Sequence, residues 1–521
     1  MRRGAGLLAL CLTLVATLLT ACSDGEGEET VRLRVLASPD LAVLTPLLGD
    51  LLEETGVDLR LDTRADAETR PPDPDRHDLA WLSSDRYLRL TDTTAIRGVQ
   101  RTSTMLSPVV VGLRPDVARK LRARVPGGRL TWADIADAAA TGTVRFGMAD
   151  PHHAGSGLAA LVGVATAAAG TGAALRPEDV SCDRLRGFRS GQTLTADTGP
   201  ALVESYAGHQ DRADALITYE SDLLALNATG RLDDPLEVVR PEDGMVLADF
   251  PLLLLNPARR AAYDKVVRWL RRDSVQRRIM RQTLRRPVNT TVTRDAPLRE
   301  PLGNALFYPD RPAVVEALLA DYGDPDRRTA SQVVFLLDFS GSMRGARMAA
   351  LREAFAGLSG ADSSASGKFT RFYRGERLTV VRFGGRVLEE RTVTVTGPQD
   401  LTSLAGTVAR GGYGDATAVW SALDRGYRTA ARELAADPDR SVSIVLMTDG
   451  ENNAGLSYAE FVRRHQALPA SVRAAVPTYP VHFGEADAGE LRRAAQRTGG
   501  RMVEAAGSSL SESFKEIRGC H

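Results

Sequence analysis

The feature that most constrains this 521-residue chain is an apolar segment that ends in an acidic, hydroxyl-rich loop. Residues 333–337 are apolar without interruption, the pattern of a strand buried on both faces of a parallel sheet. The loop carries Asp338, Ser340 and Ser342 at alternate positions, and a helical pattern follows from Gly345. Polar side chains between such a strand and a helix lie at the carboxyl edge of the sheet, where open α/β sheets bind ligands.

Two later segments add oxygen ligands to the same edge. Residues 441–450 contain a second buried strand pattern, which ends in Asp449. Between the two strands, residues 412–417 open a long helical pattern, with Thr417 near its first turn. Carboxylate and hydroxyl oxygens suit a hard cation such as Mg²⁺ better than zinc. The sequence therefore predicts a divalent cation site between the strand ends. The alternative is an ordinary Asp/Ser loop that caps a helix.

Strand and helix patterns alternate over residues 329–521, which indicates a mostly parallel sheet with helices on both faces. Within this region, residues 363–367 are expected to form a small flexible loop. The order of Asp-x-Ser-x-Ser, a Thr loop and Asp-Gly resembles the metal-ion-dependent adhesion site of von Willebrand factor type A domains.

The resemblance implies a Rossmann-like, doubly wound domain that binds Mg²⁺, or alternatively Mn²⁺ or Ca²⁺. The metal residues that it implies are Asp338, Ser340, Ser342, Thr417 and Asp449. One departure is local, because members of the family often have Gly-Gly-Thr where this chain has Asp415-Ala416-Thr417. Asp415 could therefore supply a further, outer oxygen.

The amino terminus has the pattern of a secretory signal over residues 1–21. Two arginines precede an apolar core at residues 7–19, and the sequence Leu-Thr-Ala-Cys occupies residues 19–22. This tetrapeptide resembles the lipobox of bacterial lipoproteins, which implies a lipid on Cys22 and a location on the outer face of the bacterial cytoplasmic membrane. The alternatives are an uncleaved membrane anchor, for which the core is short, and a soluble secreted protein. Residues 22–30 are expected to form an acidic tether.

Residues 31–292 have an α/β pattern throughout and resemble type II extracytoplasmic solute-binding proteins. The matching segments are Ala37-Ser38-Pro39, Thr131-Trp132-Ala133-Asp134, Ala149-Asp150-Pro151 with Ser156-Gly157, and Asp249-Phe250-Pro251-Leu252. The resemblance implies two α/β lobes around a ligand cleft. Residues 293–328, rich in Pro, Asp and Arg, are predicted to link this domain to the second one.

Serines recur at the predicted strand ends of this first domain. Helix N-termini beside such serines present free N–H groups, which suit an anion. The predicted ligand-binding residues are Ser38, Ser83, Ser84, Ser107, Ser156 and Tyr219. The alternative is that these serines only cap helices. Glu220 would oppose an anion, so the solute is left open between an oxyanion and another small molecule.

Cysteine and histidine positions allow two further interpretations. Cys182 and Cys520 remain after removal of the signal and lipidation, and they could form a disulfide in an oxidising compartment. The adjacent His152 and His153 lack the other ligands of a zinc site, so we expect a solvated loop or a ligand contact.

The charge balance and the lack of catalytic motifs argue against nucleic-acid binding and against enzymatic activity. Lys plus Arg equals Asp plus Glu, with 66 of each, so no overall field attracts nucleic acid. No catalytic constellation or phosphate loop is present in the sequence, so we expect no enzyme. The predicted function is cation-dependent binding of a protein or other acidic ligand outside the membrane. The alternative is a small-molecule solute receptor that serves an ABC-type transporter.

Overall fold

The computed structural model describes residues 30–91, 96–180, 184–324, 330–482, 488–505 and 510–519. The predictions for the signal, the tether, the lipid on Cys22 and a bridge between Cys182 and Cys520 therefore lie outside the described residues. Among the helices in the described ranges, none combines the length and apolar character that crossing a bilayer requires.

The amino-terminal half contains twelve strands and eleven α-helices within the described residues. The strands are β1 (Val31–Ala37), β2 (Val57–Thr63), β3 (Leu79–Trp81), β4 (Arg101–Ser103), β5 (Met105–Leu113), β6 (Phe146–Met148), β7 (Gln192–Leu194), β8 (Ala215–Tyr219), β9 (Glu237–Val239), β10 (Leu247–Ala248), β11 (Pro251–Leu254) and β12 (Arg286–Pro287). The helices are α1 (Thr45–Thr55), α2 (Arg86–Leu90), α3 (Pro115–Arg122), α4 (Trp132–Ala140), α5 (Gly155–Ala169), α6 (Arg186–Arg189), α7 (Gly199–Gly208), α8 (Glu220–Ala228), α9 (Arg260–Leu270), α10 (Asp273–Thr283) and α11 (Pro312–Gly323).

These strands form two sheets, one for each lobe. The first has the order β2-β1-β3-β11-β4, and the second has the order β10-β5-β8-β6-β7, with β9 and β12 also paired to β5. The chain passes between the sheets at Thr104 and again at Phe250, a non-glycine residue with φ of 43°. Thr104 Oγ1 donates a hydrogen bond to the Phe250 carbonyl at 2.6 Å, so the two crossings are tied together. The predicted two-lobed α/β fold is confirmed.

The carboxyl-terminal half has one central sheet between two layers of helices. Its strands are β13 (Gln332–Asp338), β14 (Arg377–Phe383), β15 (Val387–Thr394), β16 (Val442–Thr448), β17 (Thr478–His482) and β18 (Val503–Glu504). Its helices are α12 (Ala346–Ala356), α13 (Ala365–Thr370), α14 (Pro398–Ala409), α15 (Val419–Ala436), α16 (Tyr458–Gln466), α17 (Ala470–Ala475), α18 (Ala488–Arg497) and α19 (Leu510–Gly519).

The apolar segment that ends at Asp338 is the central strand of this sheet. The order is β15-β14-β13-β16-β17-β18, and only the β14–β15 pair is antiparallel. Alternate side chains of β13 point to opposite faces, so Val333 and Phe335 pack in one core while Val334 and Leu336 pack in the other. Burial on both faces explains the uninterrupted apolar pattern. The predicted doubly wound architecture is confirmed.

One segment differs from its prediction. Residues 363–367 were expected to be a flexible loop, but Ser364 caps helix α13 with its side chain, and α13 packs against α4, α5 and α6 of the second lobe. Phe369 is buried in the core of the amino-terminal half. The main chain also connects the halves, because Arg374 N donates to the Ala140 carbonyl at 2.7 Å. The serine-rich sequence therefore forms a docking element between the two halves.

The predicted linker also packs against the amino-terminal half. Met245 N donates to the Asn304 carbonyl at 2.9 Å, and Leu306 N donates to the Met245 carbonyl at 3.0 Å. Helix α11 then packs against α2 of the first lobe and α5 of the second. Because Val314, Val315 and Leu318 of α11 are buried, this segment belongs to the folded core rather than to a free tether.

Candidate functional site

Two neighbouring parallel strands bring the predicted carboxylates to one edge. Strands β13 and β16 pair in register, with Leu337 opposite Met447. Asp338 ends β13, and Asp449 follows β16 directly, so both carboxylates lie at the centre of the sheet edge. Both side chains are almost completely buried.

A chain of hydrogen bonds joins four of the predicted metal residues. Asp338 Oδ1 accepts from Ser340 N at 2.7 Å. The Oγ atoms of Ser340 and Ser342 lie 3.0 Å apart, and Ser342 Oγ donates to Asp449 Oδ1 at 2.9 Å. The second oxygen of Asp338 accepts from Thr448 Oγ1 at 2.7 Å. The alternating Asp-x-Ser-x-Ser spacing therefore directs its side chains toward Asp449.

Thr417 faces the same place from a different loop. A methyl group on Gly450 would lie 3.5 Å from Thr417 Oγ1 and 3.7 Å from Ser342 Oγ. The main chain of Thr417 is fixed by Asn453, whose Oδ1 accepts from Thr417 N at 2.8 Å and whose N donates to Thr417 O at 2.9 Å. All five predicted residues therefore meet at one site, whereas Asp415 is exposed.

Close backbone contact holds the threonine loop in position. Gly414 N donates to the Phe339 carbonyl at 2.9 Å, and a methyl group on Gly384 would lie 2.9 Å from the Cα of Gly414. Arg382, whose guanidinium stacks 4.0 Å from the Phe339 ring centroid, donates to the Gly411 carbonyl at 2.6 Å. Sequence reasoning did not identify Arg382, because its role depends on contacts across the sheet.

The electrostatics of the site favour a cation. Burial raises the pKa of Asp338 to about 6, and the nearby Asp449 carboxylate adds to the rise, although hydrogen bonds from Thr448 and Ser340 oppose it. Asp449 also forms an ion pair with Arg347 of α12, which the sequence analysis missed. Two carboxylates with three neutral hydroxyls fit a hard divalent cation that keeps some of its waters. No group of three His, Cys, Asp or Glu side chains in the described residues could hold a metal ion, so a cation here would depend on the hydroxyl oxygens beside the two carboxylates.

The predicted cleft residues divide into two groups. Ser83 Oγ of the first lobe lies 2.8 Å from the Tyr219 hydroxyl of the second, so this pair joins the lobes. Ser38 Oγ donates to Asp40 Oδ2 at 3.0 Å, while the Ser156 hydroxyl is fully buried at the start of α5. The remaining two form hydrogen bonds within their own lobes, and Ser84 also lines a small cavity beside Glu68. Ser84 Oγ accepts from Arg86 N at 3.3 Å, and Ser107 Oγ accepts from Ser221 N at 3.1 Å.

The negative charge of Glu220 is compensated by two arginines. Its Oε2 lies 2.6 Å from Arg286 Nε, and its Oε1 lies 2.6 Å from Arg240 Nη2.

His152 Nδ1 lies 2.8 Å from Asp150 Oδ1, and its ring packs 5.9 Å from that of Tyr322. The sequence analysis missed the charged residues between the lobes, which are Asp40, Glu68, Asp222 and Arg285.

Comparisons with known proteins agree with both halves of the fold. Residues 75–283 match the family of bacterial extracellular solute-binding proteins, and residues 332–516 match the von Willebrand factor type A domain. No curated protein matches the chain in sequence.

Solved structures similar to the chain include proteins of both kinds. A periplasmic thiamin binding protein is 12% identical, with 56% of this chain and 95% of that chain covered and a TM-score of 0.43. A Trichodesmium protein in complex with iron and citrate is 12% identical, with 56% and 99% covered and a TM-score of 0.37. A von Willebrand factor type A protein from Catenulispora acidiphila is 22% identical, with 37% and 42% covered and a TM-score of 0.29. On the strength of the two family matches, this chain combines a bacterial extracellular solute-binding domain with a von Willebrand factor type A domain.

Proposed function

We propose that this protein binds a protein or other acidic ligand outside the cytoplasm through a divalent cation held by its type A domain. The observation that carries the proposal is the hydrogen-bonded chain from Asp338 through two serines to Asp449. Mg²⁺ is the first candidate, with Mn²⁺ and Ca²⁺ as alternatives, because all three prefer oxygen ligands. The solute-binding domain indicates an extracytoplasmic location.

The residues of this site would supply both charged and neutral ligands to the cation. Asp338 and Asp449 would contact the cation as carboxylates, with Arg347 offsetting part of the charge of Asp449, and the hydroxyls of Ser340, Ser342 and Thr417 would complete the protein contacts without adding charge. When bound, Mg²⁺ would supply a positive centre that can accept a carboxylate oxygen from a partner.

The rim of the site carries groups that suit an acidic partner. Ser342 and Arg344 are exposed, and the guanidinium of Arg344 lies 5.0 Å from the ring centroid of Tyr413. A positive side chain beside the cation favours the approach of a carboxylate and disfavours a basic partner. The rim and the buried carboxylates therefore support the same partner class.

A capture experiment with the full mature chain tests this function. We expect a cell-surface partner to be retained by the wild-type chain in Mg²⁺, and to be lost in EDTA or when Asp449→Ala is used. Asp415→Ala is the matched control, because it removes an exposed carboxylate from the neighbouring loop. Retention that is indifferent to EDTA and to Asp449→Ala would contradict the proposal.

The proposed location on the membrane depends on a lipid at Cys22. Two or more acyl chains anchor a protein stably, whereas one chain is marginal. Cys22→Ser should move the protein from the membrane fraction to the soluble fraction. Cys11→Ser should leave it anchored, because Cys11 belongs to the signal that is removed. Equal membrane partitioning of both variants would exclude this anchor.

A second candidate function is that of a solute receptor for an ABC-type transporter. It is favoured by the meeting of polar groups from both lobes, such as Ser83 and Tyr219, 2.8 Å apart. Tight binding of a small molecule to the full chain in EDTA, with no cation-dependent partner, would favour this candidate over the first.

A further inference from the structure

We infer that the cleft of the solute-binding domain takes a small organic ammonium ion, held between Asp40 and Glu68 of the first lobe and Asp222 of the second. This inference rests on the receptor candidate and specifies the chemical class of its solute. It is independent of the cation site in the type A domain.

Carboxylates of both lobes face one another where the lobes meet. Gly199 begins helix α7 of the second lobe, and a methyl group on it would lie 2.7 Å from Asp40 Oδ1 of the first lobe. The same methyl group would lie 3.5 Å from Ser156 Oγ and 3.7 Å from Asp222 Oδ2. Oxygens from both lobes therefore surround a single position.

Two of these oxygens are buried and have no hydrogen-bond partner in the part of the chain that the structure describes. Asp40 Oδ1 has none, although Asp40 Oδ2 accepts from Ser38 Oγ at 3.0 Å. Ser156 Oγ has none either, and its residue is completely buried. Buried oxygens without partners are rare and costly. A group with several N–H donors between the lobes would satisfy both, and an ammonium group carries up to three such donors.

Glu68 forms the third acidic side of the site. It accepts from Ser83 N at 2.8 Å and also from Ser83 Oγ, whose oxygen lies 2.8 Å from the Tyr219 hydroxyl. Within the described residues, the hydrogen bonds to the Asp222 carboxylate come from neutral hydroxyls, namely Ser221 Oγ at 3.2 Å and Thr218 Oγ1 at 3.3 Å. Neither carboxylate therefore has a cationic partner among these contacts.

The charge balance between the lobes selects a cation over an anion. The guanidinium of Arg285 faces Asp40 and Asp222; it donates to the Asp40 main-chain carbonyl and lies 4.1 Å from the Phe250 ring centroid. Burial raises the pKa of Asp40 to about 8, and burial likewise raises the pKa values of Glu68 and Asp222. Repulsion from the Asp222 and Glu68 carboxylates adds to the rise at Asp40, which indicates that negative charge is crowded there. A bound cation would offset that negative charge, whereas an oxyanion would increase it.

The surroundings favour an organic cation over a metal ion. Within the described residues these carboxylates do not converge as a set of metal ligands. A cavity of about 20 Å³ lies beside Glu68, with Tyr87, Tyr219 and Tyr308 among its lining residues. Aromatic faces attract ammonium groups, and aliphatic side chains such as Leu158 complete the wall. The cavity volume corresponds to about one water-sized group, so a larger solute would require the lobes to separate.

Thermal unfolding of the full mature chain in EDTA tests the inference. The probes are methylammonium, ethanolamine, choline and putrescine, each compared with sulfate and phosphate at equal ionic strength. We expect at least one amine to raise Tm in a saturable manner and to lose at least tenfold in affinity in Asp40→Asn and in Asp222→Asn. Asp116→Asn is the control, because Asp116 is an exposed carboxylate of α3 with an ion pair to Lys120.

The outcomes separate this inference from the receptor candidate and from the cation site. Stabilisation by sulfate or phosphate but not by amines would overturn the ammonium assignment while keeping the receptor. No response to any probe would overturn the inference, and so would an amine response unchanged in both cleft variants. Because EDTA is present throughout, none of these results depends on Mg²⁺ at the type A domain.

Discussion

Lys368 of the type A domain donates to Asp134 of the solute-binding domain, with Nζ and Oδ1 2.6 Å apart. The second oxygen of Asp134 accepts from Thr131 N at 2.8 Å and closes the capping box of α4. A side chain of the carboxyl-terminal half is therefore attached directly to the start of a second-lobe helix. Arg371 adds an ion pair to Asp137 on the same helix.

Removal of this interdomain ion pair should destabilise the full chain. Lys368→Ala leaves the mostly buried Asp134 without its charged partner, which should cost about 1–3 kcal/mol. Chemical denaturation of the full chain measures this loss. Lys120→Ala is the matched control, because its ion pair with Asp116 is exposed and screened by solvent, so its loss should change the stability much less. Equal losses in the two variants would show that the contact between Lys368 and Asp134 adds no stability.

The stability of the solute-binding domain should fall as the pH rises. The pKa of Asp40 increases from 3.8 to about 8 on burial, and the facing groups are Glu68, Asp222 and Arg285. Because the folded chain binds the proton more tightly, this contribution is complete below about pH 4 and is lost as the pH approaches about 8. Tm measured across this range should decline in the wild type and decline less in Asp40→Asn. Parallel Tm profiles for the two proteins would exclude Asp40 as the source.

A methyl group at the threonine loop should weaken the cation site. Gly384→Ala places a Cβ 2.9 Å from the Cα of Gly414, and backbone cannot move aside as cheaply as a side chain. We expect a loss of about 1–3 kcal/mol in stability and weaker Mg²⁺ binding by calorimetry. Gly406→Ala is the control, because a Cβ there meets nothing within 4 Å and alanine favours the helix by about 0.5–1 kcal/mol. Unchanged Mg²⁺ affinity in Gly384→Ala would show that the loop tolerates displacement.

The sequence was sufficient for those parts of the fold that depend on local patterns. Strand β13 was predictable because its apolar residues reach both layers of helices. The candidate metal ligands in the loop after it were predictable because they are only two residues apart in the sequence. Both halves of the chain could be assigned to the α/β class because their strand and helix patterns are also local in the sequence.

Features that depend on tertiary contacts could not be predicted in this way. Asp40 and Arg285 are 245 positions apart in the sequence and meet only in the folded chain. Helix α13 was missed because its Ser- and Gly-rich sequence has low helix propensity, and its position is fixed by Phe369 in the core of the other half. The partners of such residues lie outside any local sequence window.

Calorimetric titration of the full chain with Mg²⁺ tests the central claim most directly. The account predicts saturable binding at one site in the wild type, retention of that binding in Asp415→Ala and its loss in Asp338→Ala. The loss is expected because Asp338 supplies one of the two buried carboxylates that balance the cation, whereas Asp415 is exposed. Equal Mg²⁺ binding by the wild type and Asp338→Ala would contradict the account.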